Sequence, residues 1–131
     1  SNKLNDSVTL LGYRNDIPEI MASIDLLALP SIGEAFPNVL GEAMASSVPC
    51  VVTDVGDSKH IIGESGRVVA QNDMVGLVNC IAEIHQLTKQ ERALLGEAGR
   101  KRVSALFDIS VVTSEFEMLY QDLLNGESMH K

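Results

Sequence analysis

Two short apolar runs constrain the fold most. Leu26-Leu27-Ala28-Leu29 and Cys50-Val51-Val52-Thr53 are unbroken, the first stopped by Pro30, as expected of strands covered on both faces. Helical patterns flank them. Asp16 starts one, with Glu19 placed for a capping box and Pro18 tolerated in the first turn, and this short helix runs to about Ser23. Pro37 opens another through Val39, Leu40, Ala43 and Met44, ending near Ser46-Ser47. Val8-Thr9-Leu10-Leu11, closed by a turn at Gly12, and the weaker Arg67-Val68-Val69 read as further strands. Strands alternating with helices predict an α/β fold, a parallel Rossmann-like sheet of about four strands with crossover connections. From Asp73 onward the pattern is helical only. Leu77, Ile81 and Ile84 recur at helical spacing, and a Thr88–Glu91 capping box leads a helix to about Leu106. Val112, Phe116, Leu119 and Leu123 mark a final amphipathic helix whose Met and Leu positions read as core. Residues 125–131 hold too little apolar content to pack and are expected to be mobile, which leaves 1–124 as the structured part.

With 131 residues there is room for one domain and one core. Hydrophobic residues at 45% and charged residues at 21% exclude a disordered tail, a collagen-like repeat and a disulfide miniprotein. A net charge of −8 repels phosphate backbones and anionic lipid, so nucleic acid and membrane surfaces are poor partners. The absence of Trp also argues against a stacking platform for bases. Cys50 and Cys80 have no CxxC spacing and read as buried free thiols in a reducing compartment. No segment approaches the roughly 18 consecutive apolar residues of a membrane helix. No charged-then-apolar leader opens the chain, so the expected location is the cytoplasm. Ser1-Asn2-Lys3 lacks an initiator Met, which fits a processed chain or one cut from something longer.

Ligands of parallel α/β sheets sit at the carboxyl ends of the strands. That directs attention to the loops Gly12–Asp16, Ser31–Pro37 and Asp54–Lys59. The richest stretch runs from Pro30 to Ala45: a strand end, a loop carrying Glu34, then a helix whose first turn has no basic or bulky polar side chain. Free N–H groups of such a turn, with the helix dipole behind them, suit phosphate or another anion. Glu42 follows Glu34 by eight residues, inside the helix. An ionised carboxylate accepts hydrogen bonds only, so each can hold a pair of vicinal sugar hydroxyls. The plainer readings are a solvated helix acid for Glu42 and a loop acid for Glu34. Lys59 and Arg14 lie close to the loops but read first as solvated cations. His60 and His85 have no partner at ligand spacing, and Ser31 and Ser58 have no base beside them. No Gly-x-Gly-x-x-Gly follows any strand, which counts against a dinucleotide binder.

The segment resembles the donor-binding motif of retaining GT-B-fold glycosyltransferases of the group 1 type, a glutamate, seven residues and a second glutamate. Glu34 and Glu42 match, as do Ala43-Met44-Ala45, Val48-Pro49 and Val51-Val52-Thr53-Asp54-Val55-Gly56. Gly66-Arg67-Val68-Val69 and Asp73 fit the pattern downstream, so the resemblance extends from Val8 to Leu124. Ser47 stands where the family often has glycine, and Asp57 where a second glycine is frequent.

The resemblance implies that Glu34 holds donor-sugar hydroxyls near the reacting anomeric carbon, the catalytic position. Gly33 would keep the loop thin. Backbone around Ala35, Phe36, Pro37, Asn38, Val39 and Leu40 would approach the sugar and diphosphate, and Glu42 would take the ribose hydroxyls. No metal or cofactor is implied, since helix dipoles and basic side chains stabilise the departing diphosphate. The parent would transfer a sugar from a nucleotide-sugar, UDP before GDP, to a glycan or lipid-linked acceptor, as in polysaccharide biosynthesis. The alternative is a non-catalytic α/β remnant or interaction module. The family's diphosphate-binding Arg and Lys belong upstream of the matched region, so residues 1–124 would be the second half of a donor domain, inactive alone. In the family's 3-2-1-4-5-6 strand order the neighbours of Leu26–Leu29 would then be missing. Val8–Leu11 is expected to move beside it, or a second chain to pair with it, and self-association of the isolated chain follows.

Overall fold

The computed structural model describes residues 7–125. Nine elements follow in order: α1 (Ile17–Ser23), β1 (Leu27–Leu29), α2 (Asn38–Ala45), β2 (Cys50–Thr53), α3 (Ser58–Ile62), β3 (Arg67–Val69), α4 (Met74–Gln86), α5 (Lys89–Phe107) and α6 (Ile109–Leu124). The strands form one parallel sheet in the order β1-β2-β3, with Leu27 opposite Cys50 and Val51 opposite Arg67. β2 is central and buried along its whole length. Its alternating side chains feed two cores. Cys50 and Val52 join Met21, Leu40, Met44, Ile61, Ile62 and Val103 beneath α1, α2, α3 and α5. Val51 faces the other way and packs with Val69, Leu77 and Ile84 under α4.

The expected fourth strand does not form. Val8–Leu11 makes no ladder, and Leu10 is 93% exposed. A four-residue apolar run has no period that separates a strand from an extended segment, and only a ladder partner would settle it. Among the described residues β1 therefore pairs with β2 alone, and the move of Val8–Leu11 to its outer edge is not found.

Local signals fared unevenly. The Thr88–Glu91 capping box forms, with Glu91 N–H donating to Thr88 Oγ1 and Thr88 N–H donating to the Glu91 carboxylate. The Asp16 box does not: the Asp16 carboxylate takes the Arg14 guanidinium, a charge-assisted pair stronger than a neutral cap bond, and caps nothing. Part of the expected loop Asp54–Lys59 is helical, since α3 starts at Ser58. The Met and Leu positions of α6 are not core: none of its residues is buried, and Met118 and Leu123 are exposed. Cys50 is buried, its thiol pushed up to about 12 by desolvation, whereas Cys80 is only half-buried; both are free. Among the described residues no helix is long and apolar enough to cross a membrane. Of the tail expected to be mobile, all but Asn125 lies outside the described residues.

Candidate functional site

The loops after β1, β2 and β3 meet at the carboxyl edge of the sheet, and the Glu34 loop is fastened to its neighbours. Thr53, the last residue of β2, donates its hydroxyl to the Ser31 carbonyl at 2.6 Å. Gln71, just after β3, donates its amide to the Ile32 carbonyl. The Asp57 N–H donates to the Ala35 carbonyl at 3.1 Å. Gly56, at φ +51°, lies so close that a Cβ there would stand 2.1 Å from the Glu34 carbonyl oxygen. Only glycine combines that conformation with that approach. Ser31 Oγ in turn donates to Glu34 Oε1 at 2.8 Å, which aims the carboxylate.

The start of α2 is left without a side-chain cap, because Pro37 occupies the N-cap position. The Leu40 N–H donates to the Pro37 carbonyl at 3.0 Å and is not free for a ligand. Pro37 has no N–H to offer. The amides of Ala35, Phe36, Asn38 and Val39 have no backbone partner among the described residues, and these four are the donors available to an anion. Leu40 and Pro37 are buried, Val39 is half-buried, and Gly33, Glu34, Ala35, Phe36, Asn38 and Glu42 are exposed. A Cβ at Gly33 would meet nothing within 4 Å, so that side of the loop stands open.

Glu42 projects from α2 into an open groove of about 350 Å³, lined also by Phe36, Asn38, Val103, Phe107 and Asp108. Phe36 meets Phe107 edge-on at 5.6 Å, closing one wall of the groove. No ion pair among the described residues engages Glu34 or Glu42. Both carboxylates are therefore free to accept from hydroxyls, whereas the backbone donors and the dipole of α2 suit an anion. Two cations near the loops are engaged elsewhere. Lys59 Nζ lies 3.4 Å from Asp54 Oδ2, and Arg14 is paired with Asp16. Ser58 is 1% exposed and its hydroxyl has no partner, so it cannot act as a nucleophile toward a surface ligand. Among the described residues no cluster of three or more His, Cys, Asp or Glu has the geometry to hold a metal ion.

The part that Thr53, Gly56 and Gln71 play in holding the Glu34 loop escaped the sequence reading. Spacing reveals partners within one element, and these lie about 20 to 40 positions from the loop they hold.

A parallel α/β sheet with two carboxylates flanking an uncapped helix start can accept hydrogen bonds from hydroxyls and donate them to an anion. Residues 1–86 match the family model of glycosyl transferases group 1, and the chain belongs to that family. It is 33% identical to N-acetyl-alpha-D-glucosaminyl L-malate synthase of Bacillus anthracis, over 98% of this chain and 34% of that protein. It is 25% identical to the UDP-Gal:alpha-D-GlcNAc-diphosphoundecaprenol alpha-1,3-galactosyltransferase of Escherichia coli, over 92% of this chain and 31% of that protein. The structure of sucrose-phosphate synthase from Thermosynechococcus elongatus superposes with a TM-score of 0.81 at 30% identity, covering 94% of this chain and 32% of that one. The chain thus spans about a third of the length of each of these relatives.

Proposed function

We propose that the protein carrying this chain transfers a sugar from a nucleotide-sugar, with retention at the anomeric carbon, to a glycan or lipid-linked acceptor. This chain supplies donor-binding elements. The placement of Glu34 and Glu42 on either side of the uncapped start of α2 carries the reading, since each is exposed and neither is in an ion pair among the described residues. Glu34 holds sugar hydroxyls beside the reacting carbon, and Glu42 holds the ribose. The free amides between them approach the diphosphate, and Gly33 leaves the space in which the sugar lies. No metal is required, because backbone donors and basic groups meet the developing charge. UDP is the proposed carrier, supported by the UDP-galactose named for one relative. The enzyme acts in the cytoplasm.

Calorimetry with UDP tests the site. Glu42→Gln exchanges a charged acceptor for a neutral one, worth about 1.5–3 kcal/mol, so affinity falls roughly ten- to a hundredfold. Glu34→Gln leaves UDP affinity in place and lowers turnover. Unchanged UDP affinity in Glu42→Gln removes that residue from the site. A wild-type protein that neither binds nucleotide nor transfers sugar is instead a non-catalytic module.

The chain by itself is proposed to be inactive and to self-associate. β1 has no strand on its outer side among the described residues, and Phe116, Tyr120 and Leu123 of α6 are exposed. Bare edges of this kind recruit partners. Sedimentation of the isolated chain over a concentration series detects the association; a monomer throughout the series refutes it.

A further inference from the structure

We infer that Thr53 and Gln71 are positioning residues for the Glu34 carboxylate, acting through the backbone of the loop that carries it. The inference rests on the donor-site reading above and assigns it two residues that touch no ligand. Three carbonyls of the loop are held from outside: Ser31 by the Thr53 hydroxyl, Ile32 by the Gln71 amide, and Ala35 by the Asp57 N–H. Thr53 also reaches the Leu29 carbonyl at 3.4 Å, so its hydroxyl bridges the end of β1 and the first loop residue. It is 6% exposed, and the body of the sheet fixes it. Gln71 comes from the far side of the sheet, after β3, and is the long strut.

The loop borders open space on one side. An open pocket of about 140 Å³ adjoins it, lined by Pro30, Ile32, Met74 and Leu77 together with Ser31 and Thr53. A loop freed from its struts has room to sag. Ser31 orients Glu34 through a single hydroxyl bond, so any shift of Ser31 carries to the carboxylate. Misplacement of a reacting group by about 1 Å costs on the order of a hundredfold in rate. Glu42 sits on α2, outside this loop, and the struts do not bear on it.

Thr53→Val keeps the shape and removes the hydroxyl, and Gln71→Met keeps the length and removes the donor. In the full-length protein each is expected to lower kcat about ten- to a hundredfold while UDP affinity, held also by Glu42 and the start of α2, falls by much less. Thr53→Ser restores turnover. Amide hydrogen exchange of residues 31–36, read without substrate, is expected to accelerate in both variants at unchanged melting temperature. Wild-type kcat and wild-type exchange in both variants overturn the inference. So does a loss of turnover that tracks a general loss of stability or of UDP affinity. If the wild-type protein shows no transfer, the donor-site reading fails by itself, and the exchange measurement still decides whether the struts hold the loop.

Discussion

Ser47 carries strain that its neighbours explain. It has φ 59°, and it follows the last turn of α2 in a motif where its own N–H donates to the Met44 carbonyl and the Val48 N–H donates to the Ala43 carbonyl. That pair of bonds satisfies the carbonyls at the helix end, but it demands a left-handed residue, normally glycine. A side chain there costs about 1–2 kcal/mol, partly offset by the greater freedom that glycine has in the unfolded chain. Ser47→Gly is therefore expected to raise stability by about 0.5–1 kcal/mol, measured by urea unfolding. A lower midpoint shows that the serine makes a compensating contact. Asp57 presents the opposite case. The position is one where the family favours glycine, yet its φ is −88°, and an ordinary residue fits there without strain. Arg102 shows a second way to finish a helix. Its guanidinium donates to the carbonyls of Ile61 and His60 at the end of α3, at 2.9 and 2.6 Å.

The pairing of α2 with α5 depends on small residues. Gly96, Gly99 and Val103 form the buried face of α5. A Cβ on Gly96 would stand 1.9 Å from the Ser47 carbonyl oxygen, and one on Gly99 would meet Met44 at 3.6 Å. Gly96→Ala thus forces α5 off the end of α2 and is expected to cost about 1–3 kcal/mol, whereas Gly99→Ala is tolerated. Equal melting temperatures for the two variants would contradict this packing. Such facts also mark the limit of reading elements from a sequence. The cap at Thr88 and the strand at Cys50–Thr53 were legible because each is decided by residues within one element, and the Glu34–Glu42 spacing because both lie in one short stretch of chain. Val8–Leu11 as a strand and the burial of α6 were misread because apolar content alone does not say whether a partner exists to bury it. The loop struts were invisible for the related reason that β2 and β3 become neighbours of the Glu34 loop only once the sheet has formed.

For the molecule as a whole, an excess of acidic groups makes pH the most informative variable. The chain has 18 Asp and Glu against 10 Lys and Arg. Every described carboxylate whose pKa departs clearly from its ordinary value departs downward. Glu83 is lowered by hydrogen bonds from Arg67, Glu91 by its bonds from Thr88, Asp108 by its bonds from Ser110, and Asp16 by Arg14. In each case the folded state binds the proton less tightly than the unfolded state does. The stabilisation is fully present above the ordinary carboxylate range and is lost as pH falls through the lowered folded-state values. These groups are exposed, so salt screens the Arg67–Glu83 pair most, and the helix caps at Thr88 and Asp108 carry the more persistent part. Melting temperature is accordingly expected to fall on acidification below about pH 4.5. Asp108→Ala and Glu91→Gln should be less stable than wild type at neutral pH and should converge with it in acid. A gap between wild type and these variants that persists below the carboxylate range would show that packing, not ionisation, gives the two side chains their effect.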